Sequence, residues 1–206
     1  MTESELAGAV CARICHDLAN PVGAIVNGTD LIREIGAGAA TRELTLVEQS
    51  ARRAAAVLQF HRLAFGTPRD PDAALARGHL HERIAAVISG PRVTLTWSVH
   101  EGSEIGHAPA RLAALMVLAG RAMLGAGGEL RVLIPPDAAL PLSVMAEGPR
   151  AAATSDQRGW LRGDTEILPD SRHVEFALLP HAATAAGARL ELVEDSNRLT
   201  LRALPG

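Results

Sequence analysis

Aromatic side chains are scarce: three Phe, two Trp and no Tyr stand among 206 residues. Such a chain builds its core from Ala, Leu, Val and Ile. Helices faced with Ala approach closely, but each buries less area, so a helical hairpin of this make-up gains from pairing with a second copy. Cysteine is nearly absent. Cys11 and Cys15 lie one helical turn apart, where disulfide geometry is poor, and both are expected as reduced thiols. A metal site on them would need two further ligands, and none stands nearby. No apolar run is long enough to cross a bilayer. Positive charge is not in excess, and a net charge of −3 argues against general nucleic-acid binding. The acidic opening Met-Thr-Glu-Ser-Glu is unlike a secretory leader, so the cytoplasm is the expected compartment.

What is present falls into two parts. Residues 3–36 read as one long helix ending in a Gly-rich turn that includes Gly36 and Gly38. A second helix runs from Thr41, a plausible N-cap, to about Ala64, with an inner stripe of Leu44, Val47, Ala51, Ala54, Leu58 and Phe65. Two such helices form an antiparallel hairpin, and two hairpins make a four-helix bundle. The Gly-Thr-Pro-Arg-Asp-Pro-Asp stretch at 66–72 reads as a linker. Beyond it the pattern predicts helices over 79–89, 109–124 (with Pro109 at its first position) and 173–186. Strands are expected over 92–99, 129–135 and 140–146, with a closing hairpin of 188–193 and 198–203; residues 151–170 read as irregular and part helical. The fold class is α+β, with a hairpin domain at 1–66 and, at 72–206, a sandwich with helices on one face of a mixed sheet.

The first helix carries His16-Asp17-Leu18 and, after two residues, Pro21. At about 100° per residue, Leu6, Val10, Ile14, Leu18, Pro21, Ile25, Ile32 and Ile35 share one broad apolar side. His16 lies about 200° from Ile14 and from Leu18, on a face of small or polar residues: Ala9, Ala12, Arg13, Asn20, Gly23 and Asn27. An exposed imidazole there is open to a large partner. Its chemistry is nucleophilic attack by one ring nitrogen while the other holds a proton that Asp17 accepts. Pro21 removes one backbone amide and loosens the helix near the His. The plainer reading is a solvated surface His-Asp pair. His61 and Arg62, at the end of the second helix, also read as solvated, and Trp97 and Trp160 as packing.

A hairpin with this motif followed by a small α/β sandwich resembles the core of a bacterial histidine kinase, where the His is phosphorylated and the sandwich binds ATP. That nucleotide site would need an Asn in the long helix for magnesium and an Asp-x-Gly-x-Gly loop for adenine. The helix over 112–123 has no Asn, and Glu147-Gly148-Pro149 stands where the loop is wanted. An intact His helix before a degenerate sandwich is similar to the ChpT-type histidine phosphotransferases of alphaproteobacteria. The likeness lies in Ala12-Arg-Ile-Cys-His-Asp17, Pro21, Ala24-Ile-Val26, Leu58-Gln-Phe-x-Arg-x-Ala-Phe-Gly66, Arg92-x-Thr-Leu-x-Trp97 and Gly148-Pro-Arg150.

The resemblance implies a homodimer through the hairpins. It implies phosphate taken from the receiver of a CckA-type hybrid kinase and passed to response regulators of the CtrA and CpdR types. His16, Asp17 and Asn20 would be the transfer residues. Many members carry Ser where this chain has Asn20, which can still hydrogen-bond a phosphoryl oxygen. A receiver docking flat on this helix would meet Ala12, Arg13, Ile14, Pro21, Gly23 and Asn27, with Arg13 steering its acidic pocket. Magnesium would belong to the receiver, and this chain is expected to bind no cofactor of its own. Two other readings stay open: an ATP-dependent histidine kinase with a divergent site, and a non-catalytic module that binds kinases or regulators.

Overall fold

A computed structural model describes residues 2–36, 41–68, 70, 74–88, 90–97, 103–135, 139–163 and 169–206. The expected turn at Gly38, linker residues 69, 71 and 72, the helix end at Ser89, the strand end over 98–99 and residues 164–168 lie outside them.

Helix α1 spans Glu3–Ile35 and α2 spans Thr41–Ala64. The start of α1 is fixed by a capping box. Thr2 Oγ1 accepts from the Glu5 amide at 3.2 Å, and Glu5 Oε2 accepts from the Thr2 amide at 2.8 Å. Gly36, at φ 81°, ends it in a conformation that L side chains resist. The two helices pack closely at Gly28, where a Cβ would sit 2.5 Å from Val47 Cγ2. The stripe expected on α2 needs correction. Leu44 and Leu58 face outward, while Val57, Phe60, His61, Leu63 and Ala64 are buried. The lower half of α2 turns toward the sandwich rather than only toward α1.

The sandwich runs β1 (Ala74–Ala76), α3 (Arg77–Ile88), β2 (Val93–Trp97), β3 (Glu104–Gly106), α4 (His107–Met123), β4 (Gly128–Leu133), β5 (Leu142–Glu147), α5 (Ser155–Arg162), α6 (Val174–Ala185), β6 (Ala188–Asp195) and β7 (Arg198–Pro205). The main sheet has the order β2-β4-β5-β7-β6. Only β2 and β4 are parallel, joined by a crossover through α4. Every second residue of β5, namely Leu142, Val144 and Ala146, is buried, as a sheet covered on one face requires. Helix α4 lies on that face. Its closest approach is at Gly120, where a Cβ would stand 3.1 Å from Leu130 and Val144 side-chain atoms.

Gly106 caps α4, so the helix begins two residues earlier than expected and Pro109 is its third residue. Strands β1 and β3 pair with each other over three residues, too short to leave an alternating pattern in the sequence. One apolar core joins Phe60, Leu63 and Ala64 of α2 to α3, α4, α6 and the sheet. Arg111 of α4 ties the end of α2 by donating to the Ala64 carbonyl at 3.1 Å. Among the described residues, no helix is long and apolar enough to cross a membrane.

Candidate functional site

His16 projects from the middle of α1 with 74% of its side chain exposed. Around it Ala12 and Asn20 are exposed and Gly23 is partly so, with Asn27 exposed further along. This is the open face the helical phase predicts, and it leaves room at Nε2 for another molecule. Nδ1 lies 3.1 Å from Asp17 Oδ1, a hydrogen bond in which Nδ1 is the donor when the imidazole is neutral with its proton there.

Asp17 is held from three sides. Arg13, one turn earlier, donates from Nε to Oδ2 at 2.8 Å. His61 Nε2 of α2 approaches the same oxygen at 3.2 Å. That approach is at ion-pair distance but off the line of a hydrogen bond, and both ring nitrogens of His61 are without one. Partial burial works to raise the Asp17 pKa, but His61, Arg13 and His16 together outweigh it. They hold the carboxyl well below the usual carboxylate range. The acceptor facing His16 is therefore an ionised carboxylate throughout the neutral range.

Arg13 links this group to the sandwich. Its Nη1 donates to the Arg172 carbonyl at 2.5 Å and stands 3.6 Å from Glu175 Oε2, in the first turn of α6. Glu175 is almost wholly buried, and that burial pushes its carboxyl up to about 7 against the pull of Arg13. The guanidinium of Arg13 is thus turned into the protein, 17% exposed, rather than out toward a docking partner as the sequence suggests. Pro21 is likewise buried. Ile14 is partly buried.

A cleft of about 460 Å³ opens beside His16, between α1, α2 and the ends of α3 and α4. Its far wall is cationic. Arg53 donates to the Ala86 carbonyl and, at 3.2 Å, to Val87; Arg121 donates to Ile88 at 2.7 Å. These bonds satisfy carbonyls that the C-terminus of α3 leaves free. Burial, then the charges of Arg13 and Arg53, lowers the Arg121 pKa.

His61, Glu175, Arg53 and Arg121 escape the sequence reading. His61 had a signal: Val47, Ala54 and His61 repeat at the heptad spacing, so the stripe that holds Val47 against α1 brings His61 inward too. Glu175 is a lone carboxylate in the apolar α6 sequence. Nothing local marks the two arginines, whose partners come from a distant helix end.

Residues 77–198 match the family described as histidine phosphotransferase C-terminal domain, and the chain belongs to that family. Protein phosphotransferase ChpT of Brucella abortus (strain 2308) is 34% identical over 130 residues, which span 62% of this chain and 60% of that protein's length. The fold is that of a bacterial phosphotransferase solved at 1.7 Å. That likeness has 24% identity and a TM-score of 0.76, covering 98% of this chain and 97% of the other.

Proposed function

We propose that the protein is a phosphohistidine carrier of a bacterial phosphorelay, moving a phosphoryl group between receiver-domain aspartates through His16. The observation that carries this reading is an open imidazole whose Nδ1 faces an ionised carboxylate, leaving Nε2 toward solvent. Nε2 attacks the phosphorus of an aspartyl phosphate. The P–O bond to the receiver breaks, its electron pair leaves with the carboxylate, and the P–N bond forms. No proton has to move. The Nδ1 proton stays, and the Asp17 carboxylate balances the positive charge that the ring acquires. In the return step the second receiver's carboxylate attacks phosphorus and the electron pair goes back to Nε2. Asn20 is suited to hydrogen-bond a phosphoryl oxygen, and Ala12, Gly23 and Asn27 leave room for the receiver surface.

The relatives' description as phosphotransferases supports the reading. The finer proposals follow the family resemblance: a cytoplasmic homodimer through the 1–66 hairpin, a CckA-type hybrid kinase as donor, CtrA- and CpdR-type regulators as acceptors, and magnesium held by those receivers. We also propose that the 72–206 sandwich binds no ATP. The α4 face where a magnesium Asn would stand is apolar and buried from Leu112 to Gly120. At the end of β5, a Cβ on Gly148 would meet the Gly127 carbonyl at 2.4 Å, and the Ala152 amide is bonded to the Met123 carbonyl at 3.0 Å. This close backbone packing after β5 supports the reading.

The test is phosphotransfer from a receiver domain carrying labelled phosphate. Wild type takes the label, while His16→Ala and His16→Gln, folded as judged by circular dichroism, take none. Calorimetry with Mg-ATP is expected to give no heat at millimolar nucleotide, which would place binding weaker than about −4 kcal/mol. Label on His16→Ala removes the carrier assignment, and micromolar ATP affinity replaces it with a kinase.

A further inference from the structure

His61 is buried on α2, yet it is an imidazole with both nitrogens short of a hydrogen bond. Its ring is stacked on Phe65, just past the end of α2, at 5.2 Å between centroids and meets Phe60 edge-on at 5.8 Å, so neighbours close in sequence fix its plane. A residue that only filled this apolar space would serve better as Leu or Phe, because unpaired polar atoms are costly inside a protein. Among the described residues, the ion-pair partner within reach is Asp17 Oδ2, at 3.2 Å from Nε2. Arg13 takes the same oxygen at 2.8 Å, which leaves Oδ1 for His16 Nδ1 at 3.1 Å. The carboxylate therefore has the Arg13 guanidinium bonded to one oxygen, the His61 ring 3.2 Å from that same oxygen, and the reacting imidazole on the other.

We propose that His61 is a positioning residue for the acceptor imidazole: from the opposite helix it holds Asp17 so that Oδ1 faces His16 Nδ1. This rests on the reading of His16 as the phosphoacceptor. Held in that way, Asp17 selects the tautomer with the proton on Nδ1 and the lone pair on Nε2, the form that attacks. Arg13 alone leaves the carboxylate free to turn about its Cβ–Cγ bond. A second partner, anchored on α2, removes that freedom.

The experiment uses the full chain labelled with nitrogen-15, reading the His16 ring nitrogens by NMR, with phosphoramidate as a small phosphodonor. In wild type the Nδ1-protonated form dominates. His61→Phe keeps the aromatic packing and loses the nitrogen; it shifts His16 toward the Nε2-protonated form and slows phosphorylation by about fivefold or more. His61→Gln, which keeps an N–H at similar reach, restores both within about twofold. A purely structural role would change the melting temperature in both variants without moving the tautomer. If His61→Phe does not fold, Asp17→Asn reports the same contact from the other side by shifting the ring-nitrogen signals of His61. Unchanged His16 tautomer and rate in His61→Phe, or unmoved His61 signals in Asp17→Asn, overturns the proposal. Phosphate found on a residue other than His16, with the tautomer shift intact, overturns the carrier reading and leaves the positioning role standing.

Discussion

Glu175 keeps its proton until about pH 7 in the folded chain, against 4.5 for an ordinary Glu. Between those values the folded state holds a proton that the unfolded state has lost. Its contribution is therefore most favourable below about pH 4.5 and declines as pH rises toward 7. Asp17 has the opposite sign. Its pKa is depressed, so its contribution is complete above the ordinary Asp value of 3.8 and is lost as pH falls below it. Glu175→Gln removes the first dependence. Measured by urea unfolding, the variant gains about 1–3 kcal/mol relative to wild type on going from pH 5 to pH 8. Equal pH dependence in the two proteins would mean that Glu175 is already ionised in the fold. At this scale the sequence shows which residues share the His16 face, because helical phase is local. It does not show that Arg13 turns inward, because the Arg172 carbonyl and Glu175 that draw it in belong to a distant part of the chain.

Among the elements, α1 and α2 are legible almost to the residue, because the glycine after α1 and the apolar period mark them in the chain itself, although Thr41, expected as a cap, is the first helical residue of α2. The side each buries is less legible. Leu44 and Val47 look equivalent in the sequence, and only the contact with Gly28 makes Val47 the inner one. That contact allows a sharp test. Gly28→Ala improves helix propensity by up to about 1 kcal/mol. The added methyl nevertheless lands on a Val side chain that is stiff in a helix. The net result is a loss of about 1–3 kcal/mol in urea unfolding. Val47→Ala in the same chain recovers most of it, giving a favourable coupling in the double-mutant cycle. A stabilised Gly28→Ala would show that the helices are further apart than described.

For the molecule as a whole, the hairpin presents two kinds of surface. One side is rooted in the sandwich core. Away from it, Val22 and Val26 of α1 and Leu44 and Leu58 of α2 are between 46% and 51% exposed, each pair within about 40° on its own helix. An apolar face of this extent on a slender hairpin suits the proposed second copy. If that second copy binds there, Leu44→Glu and Val26→Glu should sediment as monomers at micromolar concentration and wild type as a dimer. A monomeric wild type would remove the bundle. The sandwich class was legible from the alternation of helix and strand patterns, whereas the joining of α2 to the sandwich core was not, since it depends on where distant helices meet.

The two contacts between the long helices also set a length. Asp17 and Gly28 lie roughly three turns apart on α1, and their partners His61 and Val47 lie roughly four turns apart on α2. Each pair sits nearly in phase on its own helix. Adding or deleting one residue of α2 between Val47 and His61 would rotate everything after it by about 100° and displace it by about 1.5 Å. The imidazole would swing away from Asp17, and Phe60 would leave the core. That stretch of α2 is a ruler: the contacts at its two ends fix the count of residues between them.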